Sequence, residues 1–226
     1  MSTSTQDEKI IRSWNENAIL WTSAVGSNAI ESRHLVTNDA ILNAVLNCGN
    51  NRILDVGCGE GWLSRALISN GKDVTGFDVS SDLIAQAMKE TPARFYVTSY
   101  EKFAAHPDAF GADFDVVVCN FSLLGDHLDG ILKAMLSITR PSGHLLIQTL
   151  HPFSSVGELP YEDGWREERF SSLQGQWSPM PWYFRTLNSW ICQVTSANWR
   201  IIELKEPLHP GTGKPASLIL HGVKSI

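Results

Sequence analysis

The stretch LDVGCGEGWLSRAL, Leu54 to Leu67, runs from an apolar segment through three closely spaced glycines into a helical pattern. A brief apolar run stopped by glycine reads as a buried strand, so the whole predicts the strand, turn and helix of a nucleotide-binding fold. Gly57, Gly59 and Gly61 form G-x-G-x-G, one residue tighter than the dinucleotide pattern G-x-G-x-x-G. Both spacings predict backbone N–H groups pointing outward at a helix start. The glycines alone therefore do not choose the ligand.

Asp55, just before the first glycine, does. A pyrophosphate brought against it would meet like charge in a partly desolvated crevice, whereas a ligand carrying an ammonium group and a sulfonium would be attracted. Seventeen residues beyond Gly61, Asp78 ends the next predicted strand, where an acidic side chain can accept both hydroxyls of a ribose. The two carboxylates together predict a positively charged nucleoside without phosphates.

Working outward, Ile10, Ile11, Trp14, Ala18 and Trp21 recur at helical spacing across residues 6–24, and a second helix runs from about Asn28 or Thr37 to Leu46, punctuated by CGNN. The helix after the glycines should close on Gly71 as a left-handed cap. Strand DVTGFDV follows, then helix SSDLIAQAMKE capped by Ser80 or Ser81, then strand RFYVTS. Next come strand FDVVVCNFS, helix HLDGILKAMLSITR, the turn RPSG and strand GHLLIQTL. This alternation predicts an α/β fold of Rossmann-like, doubly wound type: a mostly parallel seven-stranded sheet with helices on both faces. After Leu150 the rhythm breaks. Residues 151–185 read as an irregular, aromatic-rich insertion with room for a short hairpin, either a satellite core or a wall of a substrate pocket. A helix near Thr186 to Ala197 and strands WRIIELKEP and SLILHGV complete the chain, the last two pairing antiparallel at a sheet edge.

With 226 residues, 43% of them hydrophobic, one domain is expected: a helical cap over 1–50, a cofactor-binding core over 51–150, the insertion over 151–185, and a final helix with edge strands over 186–226. The net charge of −6 and the scattered Lys and Arg argue against nucleic acid as a partner. Cys48, Cys58, Cys119 and Cys192 are far apart, with no Cys-x-x-Cys pair and no neighbouring His array, so no metal site is expected and reduced thiols in a cytoplasmic protein are. The polar start and the lack of a long apolar run predict neither export nor membrane insertion. A monomer or homodimer is expected.

The combined motifs resemble those of the class I S-adenosylmethionine-dependent methyltransferases, especially the small-molecule branch, over roughly residues 51–150. LDVGCGEG is similar to that family's first motif, which implies that Asp55, Gly57 and Gly59, with Cys58 between them, lie under the methionine part of S-adenosyl-L-methionine. GFDVS resembles the second motif, casting Asp78 as the ribose ligand and Val79 as an adenine neighbour. FDVVVCNFSLL resembles the fourth-strand motif, placing Asn120 and Phe121 at the rim between cofactor and acceptor. Two motifs depart from the family. Thr98 and Ser99 stand where Gly-Asp often ends the third strand, so adenine recognition falls to Ser99 or Tyr100; and Ser142 replaces the first glycine of a Pro-Gly-Gly turn.

The implied reaction is an in-line displacement on a small-molecule acceptor, with catalysis from alignment and exclusion of water. An oxygen acceptor would need a general base, for which His127, His144 and His151 are candidates. His151 is preferred because it follows the fifth strand at the carboxyl end of the sheet. Trp14 and Trp21 suit core packing or a lid helix, and Arg33 suits either the cofactor carboxylate or a solvated helix face. Competing readings are a non-catalytic S-adenosylmethionine-binding protein and a nicotinamide-dependent oxidoreductase.

Overall fold

The strand predicted from RILDV is β1 (Arg52–Val56), in the interior of a sheet of seven. A computed structural model describes residues 5–49, 51–91 and 93–225. The other strands of this sheet are β2 (Asp73–Asp78), β3 (Arg94–Val97), β4 (Phe114–Asn120), β5 (Thr139–Leu150), β8 (Trp199–Lys205) and β9 (Ser217–Lys224). Their order is β3-β2-β1-β4-β5-β9-β8. The first five are parallel, β9 runs antiparallel to β5, and β8 antiparallel to β9, as the tight turn between the last two strands requires. Strand order reverses at β1 and β4, and at such a switch point a crevice opens above the carboxyl ends of the strands.

Strands covered on both faces must be apolar on both, and β1 and β4 are. Leu54, Val56, Val117 and Cys119 face one core, shared with Phe77 and with helices α5 (Tyr100–Ala105), α6 (Asp129–Ile138) and α8 (Leu187–Ser196). Ile53, Val116 and Val118 face the other, beneath α2 (Asn38–Asn47) and α3 (Trp62–Ser69). The fully buried Trp199 donates its indole N–H to the Leu132 carbonyl at 3.1 Å, so its polar atom is satisfied inside the first core.

The helix ends follow local chemistry. Ser80 caps α4 (Ser81–Glu90) by accepting from the Leu83 amide. At the end of α3, Gly71 at φ +76° lets its amide reach Ile68 O and the Lys72 amide reach Leu67 O, the paired bonds of a left-handed cap. The second predicted helix starts as a π-helical turn, Arg33–Thr37, before α2, and Gly49 follows it; Asn50 of the CGNN signal lies outside the described residues. Helix α5 was not expected, because its two turns are too short for a periodicity to register. The RPSG turn is absorbed into β5 as a register shift against β4, with Ser142 at φ +60°.

Two elements leave the sheet. Helix α1 (Thr5–Gly26) spans the expected region, and the insertion holds the one-turn α7 (Pro152–Ser155) and an antiparallel hairpin of β6 (Gly164–Glu168) and β7 (Met180–Phe184). Asn17 on α1 fastens them together. Its Nδ2 donates to Ser178 O at 2.8 Å and its Oδ1 accepts from the Ser178 amide at 2.9 Å.

Candidate active site

The glycine turn sits at the tip of β1, and its amides are not directed outward as its spacing suggested. The N–H groups of Gly57 and Cys58 both donate to Phe77 O, at 2.8 and 2.9 Å, and Gly61 donates to Cys58 O. The Gly59 amide donates to Asp78 Oδ2 at 3.0 Å. A turn whose N–H groups are engaged in this way makes a poor phosphate cradle. The glycines serve close approach instead. A Cβ on Gly57 would lie 2.4 Å from Ser122 Cβ, and one on Gly61 2.9 Å from Ala87 Cβ. A Cβ on Gly59 would meet nothing within 4 Å, so that flank is open.

Asp55 is buried on β1, and its Oδ2 accepts from Ser64 Oγ at 2.7 Å. Burial, reinforced by the nearby Glu60 and Asp78, pushes its carboxyl up to about 7 despite the Ser64 bond. Asp78 ends β2 half-buried. It accepts the Gly59 amide on one oxygen and the Ser80 amide on the other, at 2.9 Å, which fixes the carboxylate while each oxygen keeps a further lone pair. Burial raises its carboxyl as well, and the amides oppose that rise.

The remaining residues expected at the cofactor line the same crevice: Cys58, Val79, Ser99, Tyr100, Asn120 and Phe121. The reading of Ser99 and Tyr100 as adenine ligands is narrowed. Ser99 Oγ caps α5 by accepting from the Lys102 amide, and the Tyr100 hydroxyl donates to Ser122 O at 2.9 Å. Ser122 Oγ in turn donates to Val56 O at 2.6 Å, tying the β4 tip to the β1 tip. The Oδ1 of Asn120 is buried with no protein partner, and Phe121 holds φ +53°, a costly conformation for a bulky residue that the β4 tip maintains.

His151 is placed elsewhere. It is buried after β5 with Nε2 2.7 Å from Glu206 Oε1, and it is not among the residues lining the crevice, which include His127 and His209. Its position at the end of a parallel strand suggested the site, but Pro152 starts α7 directly after it and the imidazole pairs with Glu206. His144, half-buried on β5, is 2.9 Å from His221 and also outside the crevice.

The crevice is a cavity of about 1430 Å³, more than the 300–1,000 Å³ typical of a single small ligand. Its far half is roofed by Trp14 and Trp21 of α1 and by Phe170, Trp182, Tyr183 and Phe184 of the insertion. The insertion is thus a pocket wall, and α1 closes over it. Arg33 is buried between the rings of Trp21 and Trp62, its Cζ 5.4 and 5.1 Å from their centroids, and its Nη2 lacks a partner. The solvated-face reading of Arg33 does not hold. Arg185, missed in the sequence, is 2% exposed beside Tyr183 and Trp190; it donates to Gly125 O at 2.7 Å and leaves Nη1 unpartnered. Burial lowers its guanidinium to about 10, so it stays charged at neutral pH. A lone arginine after an aromatic run carries no sequence signal of its own.

Residues 53–143 match the methyltransferase domain family. A malonyl-[acyl-carrier protein] O-methyltransferase of Enterobacter lignolyticus is 36% identical over 116 residues, 51% of this chain and 44% of that protein. A ubiquinone biosynthesis O-methyltransferase of Pectobacterium atrosepticum is 30% identical over 105 residues, 44% of this chain and 43% of that protein. The chain thus spans less than half the length of these relatives. Among solved structures, the Burkholderia thailandensis 1,6-didemethyltoxoflavin-N1-methyltransferase, with bound 1,6-didemethyltoxoflavin and S-adenosylhomocysteine, superposes with a TM-score of 0.66 at 18% identity, covering 100% of this chain and 93% of that one. An S-adenosylmethionine-dependent methyltransferase of Mesorhizobium loti superposes at 0.63 and 18% identity, covering 82% and 96%. The motif order and the switch-point crevice agree with the match of residues 53–143 to the methyltransferase domain family.

Proposed function

We propose that this protein binds S-adenosylmethionine across the tips of β1 and β2 and transfers its methyl group to a small, planar acceptor held beneath the aromatic roof. The observation that carries this reading is one continuous cavity reaching from Asp78 to Arg185, roomy enough for a nucleoside and a second molecule. The donor set fits the cofactor. Asp78 offers lone pairs for two ribose hydroxyls, Val79 and Leu83 offer an apolar seat for adenine, and the open flank of Gly59 admits the ligand against the backbone. Asp55 supplies negative potential for the ammonium group, and the unpartnered Nη2 of Arg33 suits the carboxylate.

When bound, the cofactor supplies an electrophilic methyl group on a sulfonium that departs as a neutral thioether. The chain's part is then to align and to exclude water, effects worth on the order of 7–11 kcal/mol in favourable cases. The roof aromatics dry the acceptor half, and Phe121, held at the β4 tip, marks the boundary between the two ligands. Arg185 places a desolvated positive charge there, which favours an acceptor bearing a carboxylate, phenolate or carbonyl oxygen. The relatives named as acting in ubiquinone biosynthesis and on malonyl-[acyl-carrier protein] support an oxygen acceptor on a small molecule.

The test is calorimetric titration with S-adenosylhomocysteine and, separately, NADH. Heat with the former alone is expected, and Asp78→Ala should weaken it about 10- to 100-fold, since hydrogen bonds to a charged group contribute about 1.5–3 kcal/mol. Binding of NADH that survives Asp78→Ala would overturn the reading.

A further inference from the structure

At the opposite end of the sheet from the crevice, three metal-binding side chains converge from distant parts of the chain. Cys48 lies just past α2, His144 near the start of the regular part of β5, and His221 on β9, where it pairs with Leu146. His144 and Leu146 share a face of β5, the face that packs beneath α2, so the three meet under the end of that helix. Their ligand atoms, Cys48 Sγ, His144 Nδ1 and His221 Nε2, all lie within 4.8 Å of one another, and all three residues are half-buried. Fold, and not sequence spacing, makes this cluster, which is why no His array was expected near any cysteine.

We propose that Cys48, His144 and His221 bind a borderline-soft divalent metal ion, zinc foremost, as a three-ligand site with its fourth position open to water. The geometry is close to what such an ion demands. Zinc bonds of about 2.0–2.1 Å to nitrogen and 2.3 Å to sulfur at a tetrahedral angle put two nitrogens about 3.3 Å apart, and nitrogen and sulfur about 3.6 Å apart. The observed separations are 2.9 Å between the imidazole nitrogens and 3.9 Å from Cys48 Sγ to His221 Nε2, so the required spacings lie a few tenths of an ångström away in each case. Thiolate with two imidazoles is a donor set that favours zinc over magnesium or calcium.

The surroundings also suit a metal. Glu203 Oε2 lies 3.6 Å from His221 Nδ1, on the ring nitrogen opposite the proposed ligand atom, the position from which a carboxylate orients a metal-bound histidine. The Cys48 thiol otherwise donates to Ala44 O at 3.4 Å; on binding, the metal takes the thiolate and the proton passes to solvent. Such an ion would pin the end of α2 to β5 and β9.

The experiment is titration of the reduced, metal-free full chain with Co²⁺, followed by Zn²⁺ competition. One equivalent of Co²⁺ is expected to give a thiolate-to-cobalt charge-transfer band with tetrahedral visible absorption, and Zn²⁺ should displace it. Cys48→Ser, which keeps the shape and the bond to Ala44, should abolish the band, as should His221→Gln; Glu203→Gln should weaken binding about 10- to 100-fold. Cys192→Ala, removing an exposed thiol, should change nothing. Zn²⁺ should raise the melting temperature of the wild type and not of Cys48→Ser. No thiolate band in the wild type, or a band that persists in Cys48→Ser, would overturn the proposal.

Discussion

Asp55 combines a binding group with an energetic cost to the folded chain. Its folded-state value near 7 exceeds the ordinary value of 3.8, so the native state holds a proton that the unfolded chain releases. Raised native affinity for a proton means that stability falls as pH climbs from about 4 to about 7, by up to about 1.4 kcal/mol per pH unit. Urea melts of wild type and Asp55→Asn should therefore diverge with rising pH, the variant becoming relatively more stable. Binding of the cationic cofactor should run the other way: wild-type affinity rises toward pH 7 and levels above it, and the Asn variant shows neither effect. His151 makes a contrasting case. A general base removed by mutation costs 10²–10⁴ in rate, whereas His151→Ala should leave methyl transfer within about threefold and S-adenosylhomocysteine affinity unchanged. Its loss should appear in denaturant melts, because the pairing with Glu206 goes with it.

Helix α1 and the β6–β7 hairpin form the roof, and Asn17 is the residue that joins them. Replacing it with alanine removes two hydrogen bonds to Ser178, whose carbonyl keeps the longer 3.4 Å bond from Ser13 Oγ, a cost of about 1–3 kcal/mol. Asn17→Ala should therefore speed limited proteolysis between β6 and β7, and S-adenosylhomocysteine should protect it less than wild type. How far the sequence discloses a site follows from how local its contacts are. Asp55, the glycines and Asp78 are neighbours through adjacent strand tips, so their spacing predicts them. The Asn17 link spans 161 positions, the Arg185 environment depends on loops around Leu124 and Gly125, and the Cys48 cluster depends on strand register; none leaves a periodic trace. His151 pairs with Glu206 outside the crevice lining, because a strand end predicts a side chain's level in the fold but not its direction.

Across the molecule, stability should grade from floor to roof. β1 and β4 lie in the sheet interior between two apolar cores, while α1 and the hairpin contact the rest through fewer buried apolar groups. Hydrogen exchange should be slowest in β1 and β4 and fastest among structured segments in α1 and residues 164–184, and the cofactor analogue should slow both the strand tips and the roof. Among the described residues no helix is long and apolar enough to cross a membrane, and Ile19 of α1 and Phe153 of the insertion are exposed.

The family match covers residues 53–143, and the roof lies outside it on both sides. On the proposed function, donor binding and acceptor choice fall in separate portions of the chain. A chimera carrying α1 and the hairpin of a relative on this floor should then acquire that relative's taste in acceptors.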